Sequence, residues 1–587
     1  MTIFDVLTLI GGLALFLFGM QVMSSSLEKI SGGKLESILE KMTNNRIKGV
    51  LLGMVVTAVI QSSGAVTVMA VGFVNSGIMA LSQVIGIIMG ANIGTTVTAW
   101  ILSLTGIESS NIFVSLLKPS SFAPMLALVG VVLLMFAKTD KKRSVGNILM
   151  GFAVLLIGLT TMSTSMSGLE NDPNFTSILT KFSNPLLGIV AGFILTTVLQ
   201  SSSASVGILQ ALSSTGAITV GAAFPIILGQ NIGSCTTVLL SSIGANKNAK
   251  RAAWAHMVFN VIGVTLAMII FYGGNALFDL PIVEKAVNPA AIAVIHSIFN
   301  IFATIVLFPF GKQLEKLMYI LVKEDKQEAQ AQPEEPTLID ERFIISPSYA
   351  IDKTKEKCDE MALLAKKNIL MSLDFIKIYN RSKDEKIKQN EKTLDAFEDE
   401  LETYLVKIST LNLNLNDSLR LSKLSHAISN FERIGDYGVN ILKTKRKMHQ
   451  DKIHFSDEAN RELDIMASAV KEIIDKATTA FINDDEELAQ SIEPLEQVID
   501  NLKAELRARH SHRMEKGECT VENGMLFFDI VNSFERIADH CSNLAVCIIE
   551  LSQGSYQTHS YLKGVKNAGN KTFMETFEEY LNKYAIR

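Results

Sequence analysis

The chain repeats itself at a fixed offset of 139 residues, and this duplication limits what it can fold into more than any other feature. Gly12 matches Gly151, Gly19 matches Gly158, Met23 matches Met162, Asn45 matches Asn184, Gly53 matches Gly192 and Gln61 matches Gln200. Gly90-x-Asn92-Ile93-Gly94 matches Gly229-x-Asn231-Ile232-Gly233 in the same register. No gap is needed over roughly ninety residues. Glycine and serine are frequent in membrane helices, but that frequency does not account for matched glutamines and asparagines. Each copy also carries a polar stretch inside an apolar segment, Gln61-Ser62-Ser63-Gly64 and Gln200-Ser201-Ser202-Ser203. Lipid cannot hydrogen-bond an amide or a hydroxyl, so a polar cluster at that depth faces protein, water or a ligand.

Charge divides the 587 residues into two parts. Residues 1–311 hold 15 of the 54 Lys+Arg and 10 of the 59 Asp+Glu, which makes the first part a membrane domain and the remainder a soluble one. No basic flank, short apolar core and small-residue cleavage site open the chain, so the first apolar segment is expected to be kept as a span. Cys235, Cys358, Cys519, Cys541 and Cys547 show no metal-ligand spacing and fit a reduced compartment for the tail. The net charge of −5 and the lack of basic runs argue against a nucleic-acid partner.

Seven segments are long enough to cross a bilayer: about 3–23, 83–104, 121–137, 148–167, 219–243, 252–273 and 289–310. The glutamine-bearing segments, 48–75 and 187–213, are different. As unbroken helices they would reach about 42 Å, beyond a hydrocarbon core of about 30 Å; broken at Gln-Ser-Ser, each half is about 18 Å and too short to span. Loop charge favours two re-entrant hairpins. The loops at 24–48, 138–147 and 244–251 then share one side and carry five, four and three Lys/Arg, while the opposite loops carry only Lys118, Lys181 and Lys285. That is a positive-inside pattern with the N-terminus outside and the tail in the cytoplasm. Three crossings and one hairpin per copy is an odd number, so the copies are expected to be inverted, as in secondary transporters. No P-loop points to direct ATP coupling.

A half-helix starting at Ser62-Ser63 or Ser201-Ser202 offers hydroxyls, free N–H groups and a positive dipole end, which suits an oxyanion. The carbonyls ending the preceding halves, with the Gln61 and Gln200 amides, suit sodium. No Asp, Glu, Lys or Arg falls in the interior of the expected spans, so neutral oxygens rather than a carboxylate relay are the expected cation ligands. The alternative is that these groups only glue helices together. For Asn92, Thr95, Thr96, Asn231, Ser234 and Thr236 both roles stay open, since Gly-x-Asn-Ile-Gly also permits close packing. His256-x-x-Phe259-Asn260 and His296-x-x-Phe299-Asn300 put His and Asn on one helix face, a pattern read as interhelical hydrogen bonding.

These paired Gln-Ser-Ser, Gly-x-Asn-Ile-Gly and His-x-x-Phe-Asn motifs resemble the type II sodium-dependent phosphate cotransporter family in its bacterial form, over residues 1–311. The resemblance implies a substrate and sodium pathway through Gln61, Ser62, Ser63, Gln200, Ser201, Ser202 and Ser203, and a bacterial plasma membrane location. The first copy departs from the Gln-Ser-Ser-Ser form at Gly64. Cation coupling also agrees with energetics: carrying a phosphate dianion into a cell about 100 mV negative costs roughly 4.6 kcal/mol, about 2.3 per charge, and two sodium ions cancel that term.

Residues 321–344 read as a polar linker, 345–552 as amphipathic helices, and 553–587 as a tail expected to be helical. A second duplication lies in the soluble part. Leu394-Asp395-x-x-Glu398-x-x-x-Glu402 parallels Ile492-Glu493-x-x-Glu496-x-x-x-Asp500, and Phe431-Glu432-Arg433-Ile434-Gly435-Asp436 parallels Phe534-Glu535-Arg536-Ile537-Ala538-Asp539. Carboxylates four apart share a helix face and can build an oxygen-rich metal site; the plainer reading is a solvated acidic face balanced by Arg433 and Arg536. This part resembles the PhoU family, two three-helix bundles with Glu-x-x-x-Asp metal motifs. That resemblance implies divalent or trivalent metal at Glu432, Asp436, Glu535 and Asp539, with Glu398, Glu402, Glu496, Asp500 and His540 as secondary ligands.

The expectation is therefore an all-α chain, not an enzyme: a transporter domain at 1–320 with repeats at about 3–137 and 148–310, then a PhoU-like regulatory domain at 345–552. Its partners are phosphate, sodium, the bilayer and a candidate second copy of the chain. The competing expectations are a membrane-anchored phosphate sensor without net transport and a proton-coupled oxyanion carrier.

Overall fold

The computed structural model describes all residues except 1–2, 32, 43–44, 105–118, 167–183, 324–337, 378–380, 412, 553–570 and 587. Among the described residues the secondary structure is helical, with one isolated bridge, Thr219 to Ala286, and no strand. Two compact units form: Met1–Pro336 with Asp340–Tyr349, and Thr337–Ile339 with Ala350–Arg587.

The first unit begins with α1 (Ile3–Ser31), α2 (Lys34–Met42), α3 (Arg46–Ile60), α4 (Ser63–Asn75), α5 (Leu81–Ser103) and α6 (Pro119–Phe136). The second copy follows with α7 (Asp140–Met166), α8 (Pro185–Leu199), α9 (Ser202–Ser213), α10 (Val220–Gly233), α11 (Cys235–Ser241), α12 (Lys247–Phe278), α13 (Pro289–Leu307) and α14 (Gly311–Leu321). Among the described residues, six helical stretches are long and apolar enough to cross a membrane: α1, α5, α7, α10 with α11, α12, and α13 with α14. The expected span at 121–137 is the shorter α6. The expected loop at 24–48 differs more: α1 runs on through Glu28 to Ser31 and α2 fills 34–42. Lys118 and Lys181 lie outside the described residues.

Both glutamine segments break where the polar stretch interrupts the apolar run. The 15-residue α3 and the 13-residue α4 are about 22 and about 20 Å long, each too short to cross a hydrocarbon core of about 30 Å. Glycines then set how the halves dock. A Cβ on Gly90 would collide with the Val50 carbonyl, and one on Gly94 would lie 2.8 Å from Thr57 Cβ. In the second copy Gly229 meets the Ile189 carbonyl, and Gly233 meets Thr196 Cβ at 2.8 Å. Contacts that advance together along both chains mean that α3 runs parallel to α5, and α8 parallel to α10. Arg46 Nε donates to Ser82 O at 3.3 Å, so the start of α3 lies beside the start of α5. α4 also ends there, five residues before Leu81, and the pair forms a hairpin that turns back.

The equivalent helices α1 and α7 cross on their glycines: Gly12 abuts Gly158 and Met162, while Gly19 abuts Gly151 and Leu155. Here the numbers run in opposite senses, so the two helices are antiparallel.

The second unit holds α15 (Pro347–Lys377), whose first turn belongs to the first unit, α16 (Arg381–Ser409), α17 (Leu415–Gln450), α18 (Asp457–Asn483), α19 (Glu486–Gln490), α20 (Ile492–Glu515), α21 (Val521–Ser552) and α22 (Lys571–Lys583). Leu401, Ile408, Phe431, Ile434, Ile473, Leu506, Phe534 and Ile537 are buried along the inward stripes of these amphipathic helices. The tail is helical over Lys571–Lys583, while 553–570 lies outside the described residues.

Backbone-to-backbone docking leaves no room for a methyl group. Gly90→Ala and Gly229→Ala should each cost about 1–3 kcal/mol by overpacking, measured as a lower thermal midpoint of the purified protein in detergent. Gly11→Ala, with nothing within 4 Å of the added carbon, is the control.

Candidate functional site

Each helix break is built the same way. Gln61 and Gln200 end their half-helices in the left-handed region, at φ 62° and 53°. A non-glycine residue is uncommon there and needs compensation. Here the side chain supplies it. Gln61 Nε2 donates to the Ala58 carbonyl, and Gln200 Nε2 to the Thr197 carbonyl at 2.7 Å. Gln61 N donates to Thr57 O at 2.8 Å. Ser62 and Ser201 then cap the next halves, their hydroxyls accepting from Ala65 N and Ala204 N at 3.2 Å.

The remaining amide oxygen of each glutamine is fixed from the neighbouring helix. Thr98 Oγ1 donates to Gln61 Oε1 at 2.8 Å, and Thr237 Oγ1 donates to Gln200 Oε1 at 2.7 Å. Sequence reasoning missed both threonines, although 98 and 237 obey the 139-residue register and both are threonine. It pointed instead to Thr95, Thr96, Ser234 and Thr236. Their hydroxyls donate to carbonyls in the preceding turn, those of Ala91, Ile93, Asn231 and Gly233, at 2.7–3.0 Å.

The two breaks converge. A Cβ built on Gly64 would lie 4.0 Å from the Thr237 methyl, with nothing nearer. The threonine that orients Gln200 therefore faces the first turn of α4. A serine side chain would fit at position 64, so its absence in the first copy is not a steric requirement.

Asn92 belongs to a different set of contacts. Its Nδ2 donates to Asn260 Oδ1 at 3.2 Å, and its Oδ1 lies 3.3 Å from His256 Nε2, all three residues being buried. This is the interhelical bonding read from the first His-x-x-Phe-Asn motif; in the second, Asn300 Nδ2 donates within its own helix to His296 O at 2.9 Å. Asn231 Nδ2 donates within its own helix to Ile227 O at 2.9 Å. The hydroxyls of Thr57 and Thr196, buried one turn before each glutamine and 139 residues apart, have no hydrogen-bond partner.

The acidic residues of the second unit were paired by sequence into two equivalent sites, and the structure makes them unequal. In the first bundle, ligand atoms of Glu391, Asp395 and Asp436 lie within 4.8 Å of one another. Burial, then Asp436 and Glu398, pushes the Glu432 carboxyl up to about 7. Glu398, raised by burial first and Glu402 next, and Asp395, raised by burial and then Asp436, move the same way. Arg433 offsets this only partly, 3.5 Å from Glu432 and 3.7 Å from Asp436. Such an all-carboxylate set fits a hard cation. In the second bundle Lys503 Nζ sits 3.0 Å from Glu535, Arg536 lies 3.4 Å from Asp539, and Ser542 hydrogen-bonds to Glu493. Glu496 hydrogen-bonds to Asp539, whose carboxyl burial and Glu535 still push up, and Asp500 adds to that field. Position 489, equivalent to 391, is alanine. Lys503 supplies a cation where a metal would be, so this set fits one less well. His540 hydrogen-bonds to Asn430 at 2.9 Å beside Tyr437.

The chain matches the Na+/Pi-cotransporter family over residues 15–164 and 154–283, and the PhoU domain over 358–444 and 463–548. It is 27% identical to YqeW of Bacillus subtilis, covering 52% of this chain and 95% of that one. It is 20% identical to the putative inorganic phosphate export protein YjbB of Escherichia coli, covering 93% and 97%. Among solved structures it is similar to PhoU from Pseudomonas aeruginosa, at 19% identity and a TM-score of 0.33, covering 35% of this chain and 98% of that one.

The acidic cluster carries a pH signature. Because Glu432 titrates higher in the fold than its ordinary 4.5, the unfolded chain loses that proton first. Metal-free stability should fall as pH rises from about 4.5 to 7 and level off above. Metal needs the carboxylate, so manganese or iron should raise the melting temperature more at pH 8 than at pH 6, and Glu432→Gln with Asp436→Asn should remove that gain.

Proposed function

Because the chain belongs to the Na+/Pi-cotransporter family and carries a pair of PhoU domains, we propose that it is a sodium-coupled inorganic phosphate symporter of the bacterial plasma membrane, regulated by its soluble unit. The observation that carries this reading is the pair of helix breaks, identical in construction and brought together at Gly64 and Thr237. Apart from Ala65 N and Ala204 N, which the Ser62 and Ser201 hydroxyls cap, the first-turn N–H groups of α4 and α9 lack an i−4 carbonyl and form the positive ends of two short dipoles. With the hydroxyls of Ser62, Ser63, Ser201, Ser202 and Ser203 they bind the phosphate oxygens. The carbonyls around Gln61 and Gln200 bind sodium. Asn92, Thr95, Thr96, Asn231, Ser234 and Thr236 form the surrounding shell, most of them through carbonyls of their own turns.

The antiparallel crossing of α1 and α7 supports inverted copies and an alternating-access cycle. The N-terminus then lies outside, and the Lys/Arg-rich ends with the soluble unit lie in the cytoplasm. Net direction follows the sum of the gradients. With intracellular phosphate high the same cycle runs outward, the direction for which the Escherichia coli relative is named. Glu391, Asp395, Asp436, Glu432 and Glu398 hold a divalent or trivalent metal, which ties the first bundle's helices together.

One observation favours a proton-coupled variant of the same carrier. Glu28 and Glu36 share a small cavity with Ile60, Ala65 and Val66, directly against the first break. Proteoliposome flux separates the two. Under an imposed sodium gradient the symporter accumulates labelled phosphate, and uptake driven by a pH gradient without sodium would reject sodium coupling. Flux in neither condition would favour a sensor without transport. Gln61→Ala and Gln200→Ala should each abolish sodium-dependent flux while reaching the membrane at wild-type levels. Thr98→Val and Thr237→Val should keep part of it, with weakened sodium dependence, since each loses one hydrogen bond worth about 1 kcal/mol.

A further inference from the structure

The segment from Asp340 to Tyr349 begins inside the residues that read as linker by composition, yet it is packed as core. Phe343 and Tyr349 are almost wholly buried; Tyr349 meets both Phe343 and Phe73 of α4 edge-on, and Phe343 packs against Phe73 at a tilt. Asp340 Oδ2 accepts from Asn75 Nδ2 at 2.6 Å, at the last residue of α4. Arg342 pairs with Asp340 at 3.1 Å and donates through Nε to the Ser241 carbonyl at 2.8 Å, at the end of α11 in the second copy. Asn75 in turn accepts from Asn246 N at 2.8 Å, just before α12. One short segment thus holds the end of the first copy's hairpin against the second copy, all at the end of the unit that bears the basic loops.

We propose that Asp340, Arg342 and Phe343 form a clamp that sets the position of α4 and brakes transport by holding the cytoplasmic ends of the two copies together. The inference rests on the transport reading above. α4 is a single rigid rod: its far end starts at Ser63 in the phosphate site, and its near end carries Phe73 and Asn75 in the clamp. Opening the site toward the cytoplasm requires the hairpin and the α11–α12 corner to part, and the clamp bridges that seam. It continues directly into α15, the first long helix of the soluble unit. A change of state there has a covalent path to the hairpin. The second copy has no counterpart, because Ser214 in the position equivalent to Asn75 lies at the opposite end of the unit.

The test uses the full chain in proteoliposomes. Phe343→Ala removes the wedge. Gly72→Ala displaces it without touching the segment, since the added Cβ would lie 2.9 Å from the Phe343 ring. Both should raise the initial rate of sodium-driven phosphate flux about fivefold or more, the scale of a modest gating energy, at unchanged half-saturating phosphate. Bridging Asn75→Cys to Asp340→Cys with a short, cleavable thiol reagent should stop flux, and cleavage should restore it. Unaltered flux in the bridged protein, or slower flux in both Phe343→Ala and Gly72→Ala, would overturn the clamp. Maleimide labelling of the lone Asn75→Cys variant reads the clamp without transport. Phe343→Ala and Gly72→Ala should each speed labelling about fivefold or more, and equal rates would reject the clamp whatever the flux. Absence of flux in every variant with faster labelling would reject the transport reading instead.

Discussion

A helix broken inside a bilayer must account for every carbonyl and N–H it frees, and the rest of the first unit is arranged around that requirement. Glycine would enter the left-handed region at less cost than glutamine. Glutamine brings what glycine lacks, an amide that caps a carbonyl of the turn it ends and still offers an oxygen to the neighbouring helix. At both breaks that oxygen is held by a threonine 37 residues on, Thr98 or Thr237. The parallel docking of α3 on α5 and α8 on α10 follows from this. Those threonines reach the glutamines only if the helices lie backbone to backbone, and Gly90, Gly94, Gly229 and Gly233 remove the side chains that would keep them apart.

The copies share this scaffold and differ in what fills it. Ser205, Gln210 and Gln230 in the second copy stand where the first has Val66, Val71 and Ala91. All three are buried. Gln210 Nε2 donates to the carbonyls of Ala99 and Pro289 at 2.9 Å, tying the second hairpin to α5 and α13, and Gln230 Nε2 donates to Ser205 O at 3.0 Å. The second hairpin is thus fixed from within the apolar region. In the first copy α4 has valines at 66 and 71, and beyond the break itself its polar ties to other elements lie at its end, through Asn75. Hydrophobic packing holds a valine face without dictating register, so the first hairpin is the one whose position an outside segment can set.

Sequence alone located the breaks because there a run of adjacent hydrogen-bonding residues, Gln-Ser-Ser, interrupts a long apolar segment in both copies. It also read the soluble part as paired helical bundles, since burial along α16, α17 and α20 follows a helical period. Thr98 and Thr237 escaped notice because threonine is unremarkable in a membrane helix; only the 139-residue register distinguishes them from Thr95 and Thr96. Glu391 was hidden for a related reason. Acidic residues three or four apart are ordinary on a solvated helix, and position 489 breaks the internal symmetry that would have marked it. The buried Phe343 was read as linker because one aromatic residue among charged neighbours has no period to detect. What periodicity and repetition encode was legible, and what depends on a single side chain finding a distant partner was not.

In the proposed symporter, the neutral groups of the two helix breaks bear on how sodium and phosphate would be coupled. Each half-helix start contributes the equivalent of about half a positive charge, so two such ends supply about one against the two negative charges of a phosphate dianion. About one charge stays uncompensated, and leaving it so in a medium of low dielectric is costly. An arginine or lysine in the site would supply it permanently, but would hold the anion in every state and slow its release. A cation that arrives and leaves with the anion supplies the charge only while it is needed. Neutral carbonyl and amide oxygens bind sodium weakly enough to let it go, and at each break the carbonyl end of one half-helix adjoins the N–H end of the next. On the proposed reading, the break that supplies the anion's N–H donors supplies the cation's carbonyl ligands with them, and coupling becomes a consequence of interrupting the helix.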